Sequence, residues 1–172
     1  DFFFFFNNQR IFVMGTNWVP CDALPSRHDE YTLRNIQMAN DLGCNMIRCW
    51  GGNVYESDEF FDFMDENGIL VWQDFAFGCS AYSHDDESIK EIEKEAEKVI
   101  RRLRNHASLA LWSGDNENDS LFAFGGLDPN EVIISRQVLK KAVFEHDNGR
   151  SYLPSSPYIS KTNFEKYENF DY

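Results

Sequence analysis

Residues 86–118 read DESIKEIEKEAEKVIRRLRNHASLALWSGDNEN. The first half places Ile89, Ile92, Ala96, Val99, Ile100 and Leu103 at three- and four-residue spacing with Lys and Glu opposite, which predicts an amphipathic helix over Asp86–Arg104. The second half becomes a short apolar run, Leu109–Trp112, that ends at Ser113-Gly114-Asp115. A run so short, and apolar at nearly every position, suits a parallel strand covered on both faces. A helix that delivers the chain into such a strand is the repeating unit of an α/β protein.

Working outward, the same alternation recurs. Strands are predicted over Ile11–Gly15, Asn45–Cys49, Ile69–Gln73 and Ser151–Pro154. A helix over Asp29–Leu42 sets Leu33, Ile36, Ala39 and Leu42 on one face, with Gly43 as the residue that ends it. Asp58–Asn67 starts behind Ser57 and stops at Gly68, a natural cap at each end. Asn130–His146 offers Val132, Ile133, Val138, Leu139, Ala142 and Val143 for burial, whereas 161–172 shows no clear period. This is the α/β class with a parallel sheet, either a barrel or doubly wound. No GxGxxG follows the first strand, which weakens the nucleotide-binding alternative. A complete barrel takes about 250 residues. The expectation is therefore a partial (β/α)8 TIM barrel, roughly the first five strand–helix units, forming one incomplete domain over residues 1–172.

Composition narrows the partners. A net charge of −13 argues against nucleic acid and anionic membrane surfaces, which would repel the chain. At 42% apolar and 16% aromatic residues the chain is too hydrophobic for disorder, yet no apolar run approaches the roughly 18–20 residues that span a bilayer. Phe2–Phe6 lacks a basic leader and a cleavage site, so it does not read as a signal peptide. Cys21, Cys44, Cys49 and Cys79 form no CxxC pair, and His28, His84, His106 and His146 are scattered. Reduced thiols, a cytoplasmic location and no metal or cofactor are the expectations. The Asn118-Asp119-Ser120 sequon reads as coincidence.

Ligands of parallel α/β sheets bind beyond the carboxyl ends of the strands. The residues there are Thr16 to Asp22 with Trp18, Arg48 to Asn53 with Trp50, Trp72 to Phe75 with Asp74, Ser113 to Asn118, and Ser155 to Tyr158. That inventory is rich in tryptophan, amide and carboxylate and poor in histidine, lysine and thiol. Flat aromatic faces stack on pyranose rings, and Asn, Asp and Arg hydrogen-bond sugar hydroxyls. Glycosidic hydrolysis needs one carboxylic acid to protonate the leaving oxygen and a second carboxylate across the ring. Glu117 behind Asn116 suits the first role, while a carboxylate that merely caps the following helix is the competing reading. Trp18 and Trp50 serve equally as core aromatics, and Trp72 and Trp112, lying within strands, read as core. Arg48 is alternatively the counter-ion of a buried Asp74 or Glu117, Asp22 and Asp74 are alternatively loop caps, and His106 reads as a helix-end or turn residue.

Leu109–Asn118 resembles the acid/base motif of family 2 glycoside hydrolases. Met14–Asp22, Met46–Gly52, Tyr55–Phe75 and Arg101–His106 resemble the beta-mannosidases within that family, and the likeness runs from about Phe4 to Ser160. The resemblance implies that Glu117 is the general acid and then the base, and that Asn116 hydrogen-bonds the sugar 2-hydroxyl. It implies that Trp50 and Trp18 line the sugar site, with Asp22, Arg48 and Asp74 at its floor or rim. Trp50 stands where related beta-galactosidases present a histidine, which favours mannoside. No cofactor is implied. The family's nucleophile motif, a Ser-Glu-Phe/Tyr-Gly-like run, has no counterpart here, nor have the loop that follows Ser-Ser-Pro-Tyr and the N-terminal β-sandwich domains. The expectation is a retaining exo-beta-mannosidase acting on a beta-mannoside substrate, of which this chain alone is inactive. Alternatives are another family 2 glycosidase of the beta-galactosidase or beta-glucuronidase type, or a carbohydrate-binding pseudoenzyme. A metal-dependent barrel hydrolase ranks last, since the strand ends carry no histidine. Open sheet edges make homo-oligomerisation a further expectation.

Overall fold

The computed structural model describes residues 3–168. The chain opens with a hairpin of β1 (Phe4–Phe6) and β2 (Gln9–Ile11), antiparallel, turning through Asn7 and Asn8 at φ 49° and 62°. Two left-handed residues in a two-residue loop match the right-handed twist of the strands, and Asn tolerates that conformation better than other side chains. Then follow β3 (Gly15–Trp18), α1 (Asp29–Asp41), β4 (Met46–Cys49), α2 (Asp58–Asn67), β5 (Leu70–Asp74), α3 (Asp86–Leu103), β6 (Leu109–Ser113), α4 (Asn118–Phe124), α5 (Leu139–His146), β7 (Ser151–Leu153) and α6 (Lys161–Glu168). The sheet runs β3-β4-β5-β6-β7, every pair parallel and every neighbour consecutive, the order of an opened barrel rather than of a doubly wound sheet.

The register sorts the side chains into two layers. Asn17, Arg48, Trp72 and Leu111 stand in one row across four strands, with Asp74 beside Ser113 one pleat further on. Arg48 hydrogen-bonds both Asn17 and Asp74, so this row shares the concave face. That face lines a groove of about 950 Å³, bounded below by Phe3, Phe4 and Arg10 of the hairpin segment. The alternate positions, Trp18, Ile47, Cys49, Val71 and Trp112, join Ile36, Phe60, Phe61, Met64, Ile100 and Leu103 of the helices in the main apolar core.

The caps of α2 and α3 are those that helix termini require. Ser57 Oγ accepts from the Phe60 amide, Gly68 closes α2 at φ 66°, and Asp85 accepts from the amides of Glu87 and Ser88. Four expectations are corrected. The first sheet strand is Gly15–Trp18, not Ile11–Gly15, because Ile11 is taken by the hairpin and Phe12 and Met14 are exposed in the connection. Helix α1 buries Thr32, Ile36 and Ala39, leaving Leu33 and Leu42 exposed, so its inward stripe is rotated from the one the apolar residues suggest. The predicted helix over Asn130–His146 is broken into a 3-10 turn at Pro129–Glu131, a π-turn at Ile134–Val138 and α5. The Ser135 carbonyl there accepts the Tyr152 hydroxyl at 2.6 Å, an outside partner of the kind that accompanies a widened turn. Residues 161–168, without a legible period, form α6 behind Ser160. No helix among the described residues is long and apolar enough to cross a membrane.

Candidate active site

Arg48 organises the carboxyl end of the sheet. Its guanidinium donates to Asp74 Oδ2 at 2.6 Å, to Asn116 Oδ1 at 2.8 Å and to Asn17 Oδ1 at 3.3 Å. The Asp74 side chain is fully buried and also accepts from the Trp72 indole N–H at 2.9 Å and the Gly51 amide at 3.1 Å. Burial pushes the Asp74 carboxyl up, and the Arg48 charge and these donors pull it back. Gly51 allows this approach: a Cβ there would collide with the Phe77 carbonyl and come within 2.9 Å of that of Phe75.

Beyond β6 the chain continues as a narrow extension of the sheet, with Gly78, Asn116 and Ser156 bridged in parallel. The amide of Asn116 donates to the Phe77 carbonyl at 2.9 Å, and that of Glu117 donates to Ser156 at 3.0 Å. Glu117 then turns at φ 62°, left-handed for a residue with a side chain, and α4 starts behind it. Its carboxylate makes no capping hydrogen bond to α4. The amide of Asn118 donates instead to Asp115 at 3.3 Å, and that of Asp119 donates to Ser155 Oγ at 3.4 Å. Glu117 is exposed between the buried Asn116 and Asn118, at the N-cap position of α4 but with its side chain not capping it. Its Oε2 accepts from the Cys79 thiol at 3.4 Å.

A buried polar layer lies behind this corner. Asp115 accepts from the Ser155 hydroxyl, and burial pushes its carboxyl up to about 6, the nearby Asp119 adding to the rise. Asp119 pairs with Arg136 at 2.7 Å and accepts from the Ile159 amide at 2.8 Å. The π-turn that carries Arg136 therefore anchors the loops after β6 and β7.

The predicted site residues separate into three groups. Arg48, Asp74, Asn116 and Glu117 meet at the strand ends as described. Trp50 is half-buried, its indole folded over Gly52 immediately beside Gly51. Trp18 and Asp22 do not join them. Asn17 faces Arg48, so Trp18 points to the opposite side, where it is buried against Phe60 with ring centroids 5.3 Å apart. Its indole N–H donates to the buried Glu56 at 2.8 Å. His28 joins the same carboxylate at 2.9 Å, its Nδ1 accepting from the Cys21 amide at 3.1 Å. Asp22 caps its own loop, accepting from the Leu24 amide at 2.9 Å, with Arg27 at 3.6 Å. Trp72 is corrected in the other direction: it lines the concave groove rather than the core. Trp112 is core, stacked on Phe75. Asp62, Asp65 and His106 bring ligand-type atoms within 4.8 Å of one another, but at the other end of the sheet. There Asp65 holds the Ser108 amide at 2.7 Å and His106 at 2.8 Å, the work of a turn anchor. Asp115 and Ser155 stand among the strand-end residues of the sequence but without a role assigned to them, and Cys79 lies outside that set, beyond Phe75.

No protein-family model matches the chain. A beta-mannosidase of Bos taurus is 35% identical over 168 residues, covering 91% of this chain and 19% of its own. A solved beta-D-mannosidase from Dictyoglomus thermophilum superposes with TM-score 0.83 at 41% identity, covering 91% of this chain and 20% of its own. The chain is a homologue of beta-mannosidases. It spans about a fifth of the length of the curated beta-mannosidases it matches (19% of the Bos taurus protein). The wider glycosidase likeness includes a solved beta-glucuronidase of Parabacteroides merdae, with TM-score 0.71 at 25% identity over 86% of this chain and 18% of its own. The higher identity and closer superposition both lie with the beta-mannosidase.

Proposed function

We propose that this chain supplies the acid/base side of the catalytic centre of a retaining exo-beta-mannosidase. One observation carries the reading: the Glu117 carboxylate stands exposed on a left-handed corner at the end of β6, released from helix capping by Asp115 and Ser155. Glu117 would protonate the glycosidic oxygen as a second carboxylate attacks the anomeric carbon, and would then deprotonate the water that hydrolyses the glycosyl-enzyme. The family's nucleophile motif has no counterpart in these 172 residues, and Asp74 and Asp115 are held by Arg48 and Ser155, so in this reading the second carboxylate is supplied from elsewhere in the protein.

Asn116 is oriented by Arg48. Since its Oδ1 accepts from the guanidinium, its NH2 group points the other way, free to donate to a sugar 2-hydroxyl as well as to its protein partner. Trp50 would offer an indole face to the terminal mannose.

The test uses the full-length protein that contains this chain. It is expected to hydrolyse 4-nitrophenyl beta-mannoside, and Glu117→Gln to lower the rate on beta-mannobiose by about 10²–10⁴-fold, the usual contribution of a positioned general acid. Full activity in Glu117→Gln overturns the proposal, and faster turnover of aryl beta-glucuronides or beta-galactosides than of beta-mannosides replaces the substrate.

A further inference from the structure

The geometry points to Cys79 as a positioning residue for Glu117, acting as the last link of a polarised hydrogen-bond chain that starts at Asp74. The inference rests on the acid/base reading of Glu117.

The links run in one direction. Arg48, held by Asp74 at 2.6 Å, has only donors and gives one to Asn116 Oδ1 at 2.8 Å. With its oxygen committed, Asn116 presents Nδ2 to Cys79 Sγ at 3.3 Å. The sulfur accepts there, and its S–H donates to Glu117 Oε2 at 3.4 Å, nearer than the Asn116 carbonyl at 4.0 Å, which the Cys79 amide already occupies. The same residue is fixed through its backbone, for the Cys79 amide donates to the Asn116 carbonyl at 3.0 Å. Cys79 and Glu117 are both left-handed, at φ 49° and 62°, although 38 residues separate them. Two such residues that face each other across a hydrogen bond mark a constrained corner. The thiol, exposed as it is, also stays in the form that donates: some loss of solvation and the adjoining Glu117 carboxylate push it up from its ordinary value.

The Cys79 S–H therefore fixes the Glu117 carboxylate in one rotamer at the strand end, where it must stand both to protonate the leaving oxygen and to take a proton from water. Removing the donor leaves the carboxylate free to turn away, which should lower kcat and leave KM nearly unchanged, because the loss falls on the transition state and not on ground-state binding.

The experiment is the measurement of kcat and KM on beta-mannobiose for the full-length wild type, Cys79→Ala, Cys79→Val and Cys79→Ser, with thermal unfolding as a check on folding. Cys79→Ala and Cys79→Val are expected to lower kcat by a few-fold to about tenfold at unchanged KM, as for the loss of one weak bond to a charged group. Cys79→Ser, which keeps a hydroxyl donor, should restore kcat toward wild type. An unchanged kcat in both apolar variants, or the same loss in the serine variant as in the apolar ones, overturns the inference. If Cys79→Ala does not fold, the near-isosteric valine decides. A wild type that hydrolyses no glycoside, or a fully active Glu117→Gln, sinks the acid/base reading itself, a result distinct from an active enzyme indifferent to Cys79.

Discussion

Arg48 and Asp74 are joined by a 2.6 Å ion pair across β4 and β5, with the carboxylate fully buried and the Arg48 side chain 18% exposed. This pair, rather than any single catalytic group, is what holds the strand ends of the site together, because Arg48 also carries Asn116 and Asp74 also carries Trp72 and Gly51.

Breaking that pair from one side leaves a buried charge without compensation. Arg48→Met is expected to destabilise the protein by about 3–5 kcal/mol, whereas Arg48→Met with Asp74→Leu should recover part of the loss. Chemical denaturation of the two variants checks this. Equal loss in single and double variants would show that Asp74 is not stranded by losing Arg48.

Asp115 should make stability pH-dependent in an unusual sense. Its folded pKa is raised to about 6 from 3.8, so the native state binds the extra proton between those values. Stability from this group is present below about pH 4 and is lost as pH rises through about 6, by roughly 3 kcal/mol. Asp115→Asn, uncharged and able to keep an oxygen toward Ser155, is expected to flatten that slope and to match or exceed the wild type at pH 8. Thermal midpoints across pH 4–8 give the answer, and a parallel slope in the variant contradicts it.

The two tryptophans separate core from site. Trp18→Phe removes a donor from buried Glu56, so it should cost about 1–3 kcal/mol of stability and leave KM unchanged. Trp50→Ala should raise KM with a smaller stability loss. Steady-state kinetics beside melting curves on the full-length protein distinguish them, and a KM effect confined to Trp18→Phe would reverse the assignment.

The isolated 172-residue chain should self-associate. Strands β3 and β7 are each paired on one side only among the described residues. Light scattering behind size exclusion would show a dimer or larger species, and a monodisperse monomer would count against it.

Much of this molecule follows from local chemistry legible in the chain. Short apolar runs separated by capped amphipathic helices are enough to specify a parallel α/β sheet, because only helix-covered strands can be apolar on both faces. Ser57, Gly68 and the stripe of α3 work within a few residues of themselves, so their reading needs no tertiary contact. Glu117 and Asn116 are legible as candidates because residues just past the carboxyl ends of parallel strands are where such folds bind ligands.

Which face a given strand residue takes is a different matter. Strands apolar at successive positions carry no alternation to distinguish groove from core, and a shift of one residue exchanges the faces. Hence Trp18 and Trp72 trade their expected places, the first going to the core with Phe60 and the second to the groove beneath Arg48. Tertiary structure alone brings Cys79 to Glu117, Arg48 to Asn116 across 68 residues, and Arg136 to Asp119 through a π-turn that no local propensity announces. The sequence by itself determined the sheet, the caps and the acid at the strand end. The register of the folded sheet decided what surrounds that acid, since hydrogen bonds between distant segments are set by strand pairing and not by the residues on either side.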